Sequence, residues 1–174
     1  KPEYQRNNKR GGLKNLRCFP DHFGGTHRRG FCGQELDLRL TYVSSELRGM
    51  VWAVGIFEEL DNPSRYSVGS TVPVAEGAAL QKTLTDPQRP WFRGACVSFE
   101  KSGGRVISRM QLNTEHRCWH YGWISNKHRA DTQHCVRVYL FEELGPTLYC
   151  RAVGASDPFR VCCRRRAPRN DGTP

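Results

Sequence analysis

Leu36-Asp-Leu-Arg-Leu-Thr-Tyr42 alternates apolar and polar side chains with a period of two. Successive side chains of an extended chain point to opposite faces, so this stretch predicts a half-buried strand. Eight residues on, Met50-Val-Trp-Ala-Val-Gly-Ile-Phe57 is apolar throughout and short enough for a core strand. Outward from this pair, Arg65–Val72, Ala95–Glu100, Arg105–Asn113, Cys118–Ser125, Cys135–Phe141 and Thr147–Val153 read as further strands, punctuated by Gly, Pro, Asn and Asp. Only Glu76–Leu84 reads as helix, for about two turns. Repeated short strands at this spacing predict a mainly β domain, a sandwich or a barrel. The expected organisation is a flexible N-terminal segment over 1–12, one domain over 13–166 and a flexible tail over 167–174.

The chain has 174 residues with 27 Lys and Arg against 17 Asp and Glu, a formal net charge of +10. Such a field attracts polyanions: nucleic acid, heparin-like sugar or an anionic membrane face. No run of about 18 apolar residues marks a membrane span. The eight cysteines are even in number but sparse for a disulfide scaffold, and no Asn-X-Ser/Thr acceptor occurs. Reduced, intracellular thiols are therefore expected.

For chemistry, the densest ligand-type group is Cys118, His120, His128, His134 and Cys135. Its spacing does not match the paired patterns of zinc sites, so no metal is assigned and these five are weak candidates. There is no G-x-S-x-G, P-loop or H-E-x-x-H motif, and Glu58-Glu59 and Glu142-Glu143 point to opposite faces of a strand. Neither a catalytic activity nor a cofactor is expected. Two basic elements remain. One is the loop Thr26-His-Arg-Arg-Gly-Phe31, which holds Arg28 and Arg29. The other is the C-terminal run with Arg160, Arg164, Arg165, Arg166 and Arg169 behind Asp157-Pro-Phe159. Arginine forks match phosphate oxygens and guanine edges, and an apolar side chain among them suits a groove.

Taken in order, these segments resemble a T-box DNA-binding domain over roughly Leu13–Arg166. Gly25-Thr-His-Arg-Arg-Gly-Phe31 is similar to the family's S-G-R-R-M-F-P loop. Asp61-Asn-Pro-Ser-Arg-Tyr66 is similar to D-x-x-R-Y-x-Y, and Val97-Ser-Phe-Glu-Lys101 matches V-S-F-x-K. Gly104–Met110 resembles G-H-I-I-L-N-S-M, and Ser156-Asp-Pro-Phe159 resembles N-N-P-F. The chain departs from the family at Phe141–Pro146, where V-T-A-Y-Q-N is lost, and at Val161–Arg165, where K-G-F-R-D is replaced.

The resemblance implies a p53-like, immunoglobulin-type β-sandwich with a short C-terminal helix. It implies a nuclear transcription factor that binds double-stranded DNA at GTG-containing half-sites, as a monomer or as a homodimer on paired sites. By the same resemblance Arg28 or Arg29, with Arg29 the better match, enters the major groove. Phe159 and Cys163 take the places of two minor-groove aromatics. Arg160, Arg164, Arg165 and Arg166 surround them, and Arg151 takes the place of a phosphate-contacting lysine. Two rival readings fit the composition: an extracellular disulfide-bonded β-domain that binds acidic glycans or a receptor, and a T-box-like sandwich that has become a protein-interaction module.

Overall fold

The computed structural model describes residues 3–8, 11–17, 19–20, 33–43, 46–124, 129 and 131–162. The chain is mainly β, with a curled sheet. In chain order the elements are β1 (Glu3–Asn8), β2 (Lys14–Leu16), β3 (Leu36–Val43), β4 (Met50–Glu59), β5 (Thr71–Pro73) and α1 (Val74–Leu80). They continue with β6 (Phe92–Ser102), β7 (Arg105–Leu112), β8 (Gln133–Leu144), β9 (Thr147–Ala155) and β10 (Phe159–Cys162). The hydrogen-bonded path runs β2-β1-β10-β8-β4-β6-β7-β3, and β9 bridges β8 to β5.

The long antiparallel pair β4–β8, from Met50↔Glu143 to Glu59↔His134, is the centre. Its two faces are both covered from Trp52 to Phe57, which is why that stretch is apolar at every position rather than at alternate ones. Trp52, Val54 and Ile56 pack with Tyr139, Phe141, Trp91 and Leu148 on one side. Phe57, Val136, Phe92 and Leu112 pack with Trp119, Phe19, Tyr4 and Phe159 on the other. The Leu36–Tyr42 alternation is borne out in β3, whose successive residues are half-buried and exposed in turn against β7.

Five expectations need correction. The N-terminal segment is not a loose end: Glu3–Asn8 is a strand, parallel to β10, because Tyr4 and Arg6 both face inward and are buried. Of Arg65–Val72 only the last two residues enter a strand, β5, since Pro63 and the turns around Gly69 break pairing before Thr71. Within Cys118–Ser125, residues 118–124 pair with no strand beyond a single bridge, Asn15↔His120. They form instead a cover that lays Trp119, Tyr121 and Trp123 over the core. Phe159–Cys162, where the C-terminal helix was to begin, is the strand β10. The helix over 74–80 starts two residues earlier and ends four earlier than expected, closed by Gln81 in extended conformation.

Candidate nucleic-acid interface

Strand β10 decides how the C-terminal basic run is presented. The Ser156 hydroxyl accepts from the Val136 amide (3.0 Å) while the Ser156 amide donates to the Val136 carbonyl (2.9 Å). This turn passes the edge of β8 from β9 to β10, which pairs at Phe159↔His134. Strand alternation then sends Phe159 and Val161 inward and Arg160 and Cys162 outward.

Phe159 is 3% exposed. Its ring lies 5.1 Å from Tyr4 and 5.5 Å from Phe19, centroid to centroid, in tilted and edge-on geometries favoured by aromatic quadrupoles. It is a core residue, and the expected role as an exposed wedge is corrected: a ring enclosed on this scale has no free face for a groove. Arg160 does face solvent, half exposed, with Asp131 at 3.7 Å as a loose and almost fully exposed partner. Such a pair contributes about 0–1 kcal/mol, so the guanidinium is free to exchange it for a phosphate.

Arg151 is held by an ion pair. Its Nε and Nη2 donate to Glu142 at 2.8 and 2.6 Å. Glu142 is 1% exposed and accepts further hydrogen bonds from the Gly49 amide at 2.9 Å and from the Arg48 amide. Those two amides, with Arg151, hold the Glu142 carboxyl below the usual carboxylate range. Arg151 neutralises a buried carboxylate, which gives it a structural task.

Arg28, Arg29, Cys163, Arg164, Arg165, Arg166 and His128 lie outside the described residues. The anchors of the two basic segments are described. At the front of the 21–32 segment, the Tyr4 hydroxyl donates to the Pro20 carbonyl, and Tyr4 pairs with Val161 one residue before β10 ends. Arg17 donates to Gln5 at 2.8 Å, and Gln5 pairs with Cys162. At the back, Asn113 donates to the carbonyls of Gly33 (3.0 Å) and Arg117 (2.8 Å) and accepts from the Arg117 amide (3.1 Å). Gly33 has φ +57°, and a Cβ there would stand 2.4 Å from the His116 carbonyl oxygen. No other residue type fits that close approach.

Charge is unevenly divided. Ten of the 27 Lys and Arg, but only two of the 17 Asp and Glu, lie outside the described residues. The two basic segments, 21–32 and 163–174, hold six of these cations and both acids, and so carry +4 of the net +10 in 24 residues. Within the frame Arg137 pairs with Glu58, Arg129 with Glu59, Arg109 with Asp37 and Arg89 with Asp86.

The ligand-type residues do not converge. His134 and Cys135 are both buried but are neighbours on β8 and point to opposite faces. His134 Nδ1 is 2.8 Å from the Tyr121 hydroxyl, and His120 Nδ1 accepts from the Lys14 amide at 2.9 Å. Cys118 is half-buried, and among the described residues no three His, Cys, Asp or Glu form a metal-binding group. Cys96, Cys118, Cys135 and Cys150 are free thiols. What the periodicity could not reveal is a cavity lined by Lys82, Arg93 and Arg117, cations that are scattered in the sequence and carried by three different segments.

Burial pushes the rings of His120 and His134 down to about 4, with nearby cations adding to the effect on both. An unfolded histidine titrates near 6.5, so between 6.5 and 4 the unfolded chain binds more protons than the folded one. Stability is therefore complete above pH 6.5 and is lost as pH falls toward 4, by on the order of 2 kcal/mol per histidine. Urea titrations at pH 7 and 5 are expected to show this loss, and His134→Gln is expected to shrink it. Equal midpoints at both pH values would contradict the assignment.

Comparison with protein-family models, with curated proteins and with solved structures found no match.

Proposed function

We propose that this protein binds double-stranded DNA as a nuclear transcription factor, through basic segments carried on a β frame. The observation that carries this reading is the clustering of six arginines in two segments, 21–32 and 163–174, whose described anchors meet on one strand. Pro20 and Cys162, from which the Arg28/Arg29 segment and the C-terminal arginines depart, are both tied to Tyr4–Gln5 of β1. Two arginine-bearing segments that start side by side suit the phosphate rows flanking a groove. The ordered likeness to T-box segments supports sequence-specific recognition, with Arg29 or Arg28 at a guanine and a curled sheet that is a divergent p53-like sandwich. Arg160 and Arg164, Arg165 and Arg166 are then backbone contacts, without an aromatic wedge at Phe159.

Fluorescence anisotropy with a GTG-containing duplex tests this. Log K is expected to fall with log salt, and each phosphate neutralised contributes about 0.9 to the slope. Replacing Arg164, Arg165, Arg166 and Arg169 with serine is expected to lower the slope by about 3–4, roughly 0.9 for each lost contact. A wild-type chain that binds no duplex at low salt rules the reading out. Equal affinity for scrambled duplex rules out the specific form of it.

A further inference from the structure

A cavity of about 530 Å³ opens between the chain after α1, the start of β6 and the end of β7. That is the size of pockets that bury a small organic ligand. Its lining combines the apolar side chains of Met50, Val51 and Met110 with the cations Lys82, Arg93 and Arg117. The one carboxylate of the lining, Glu115, is mostly exposed and pairs with Arg117.

Lys82 is the unusual member. Its ammonium lies 4.6 Å from the centroid of the Phe92 ring and donates to the Pro87 carbonyl at 2.5 Å. Among the described residues no carboxylate forms an ion pair with it. Arg117 donates to the Lys82 carbonyl at 3.4 Å, and its own Nε is buried without a partner. Arg93 stacks on Trp52 at 3.7 Å. A cation withdrawn from water without a counter-charge is costly, and Lys82 is such a cation beside Arg117, whose carboxylate partner Glu115 is mostly exposed. Burial first, then Arg117, brings the Lys82 amine down to about 7. The other titratable group beside Lys82 is His120, whose ring is neutral above about 4.

We propose that this cavity binds a small oxyanion with an apolar body, its charged head held by Lys82 and Arg117 and its body against Met50, Val51 and Met110. The head completes the charge balance that the fold leaves open. Met50, Val51 and Met110 carry no charge and suit a hydrocarbon or aromatic ring. This assignment is independent of duplex binding.

Isothermal titration with benzenesulfonate at pH 8, in two buffers of different ionisation enthalpy, tests it. The sulfonate itself does not titrate there, so any proton taken up belongs to the protein. Millimolar or tighter binding is expected, with uptake of up to one proton as Lys82 is recharged. Lys82→Met keeps the stem over Phe92 and is expected to weaken binding about tenfold and abolish the uptake. Lys82→Arg is expected to restore binding without uptake, because guanidinium stays charged. Absence of binding to the wild-type chain overturns the proposal, as does unchanged affinity and uptake in Lys82→Met. A short duplex is expected to leave bound benzenesulfonate in place. Displacement would make the occupant a nucleic-acid phosphate and overturn the small-molecule assignment.

Discussion

Phe159→Ala is expected to lower the stability of the folded chain by about 3–5 kcal/mol, the cost of deleting a buried aromatic ring and leaving part of its volume empty. The ring touches residues from distant parts of the chain: Tyr4 of β1, Phe19 after β2, Phe57 of β4 and His134 of β8 lie with ring centroids within 6.2 Å of its own. Strand β10 is only four residues long, and its inward residues are Phe159 and Val161. Losing the ring therefore also loosens β1, which pairs with β10 in parallel. Urea unfolding measures the loss directly. Phe159→Leu, which keeps most of the volume, is expected to cost less than about 1.5 kcal/mol. Duplex affinity measured below the unfolding midpoint is expected to be unchanged in Phe159→Leu. A Phe159→Ala chain with wild-type stability and weakened duplex binding would restore the wedge and refute the core role.

Glu142→Ala is the second large effect. The carboxylate gathers the Arg48 and Gly49 amides and the Arg151 guanidinium at one buried point. Removing it strands two amide donors and a half-exposed cation together. Breaking a buried pair from one side costs about 3–5 kcal/mol, much of it from the groups left behind. Arg151→Ala is expected to cost less, since Glu142 keeps its two amides and Arg151 is already partly in water. The double variant is expected to be less destabilised than the sum of the two, the mark of a direct pair. The salt slope of duplex binding separates this role from the phosphate contact that the T-box likeness implies. Arg151→Ala is expected to leave the slope unchanged, and a slope reduced by about 0.9 would return Arg151 to the interface.

The frame was legible where the signal is local. Leu36–Tyr42 and Arg105–Asn113 read as strands because pleating places alternate residues on one face, and β3 and β7 are those strands. Met50–Phe57 read as a core strand because only a strand covered on both sides is apolar at every position, and β4 is so covered from Trp52 to Phe57. The 118–124 segment misled for a related reason. Trp119, Tyr121 and Trp123 alternate as in a strand, yet they satisfy the same inward demand as a cover with a single bridge. The N-terminal segment misled in the opposite way. Its composition is polar, and its pairing with β10 depends on residues more than 150 positions away.

At the candidate interface the excess of charge and the two arginine clusters were visible in composition, because the number of cations is a property of the chain alone. Which cations remain available was not visible. Arg151 and Arg160 lie nine residues apart with similar surroundings in sequence, and one is held by a buried carboxylate while the other meets water. Phe159 stood among arginines and read as a groove-seeking ring, until β10 turned it inward. By itself the sequence determined the strand-rich class, the central apolar strand and the location of the charge, all consequences of local periodicity and composition. The tertiary structure decided that Phe159 belongs to the core, that Arg151 is paired, and that Lys82 and Arg117 share one cavity. Burial and ion pairing depend on which distant segments the sheet brings together, and no local pattern encodes that register.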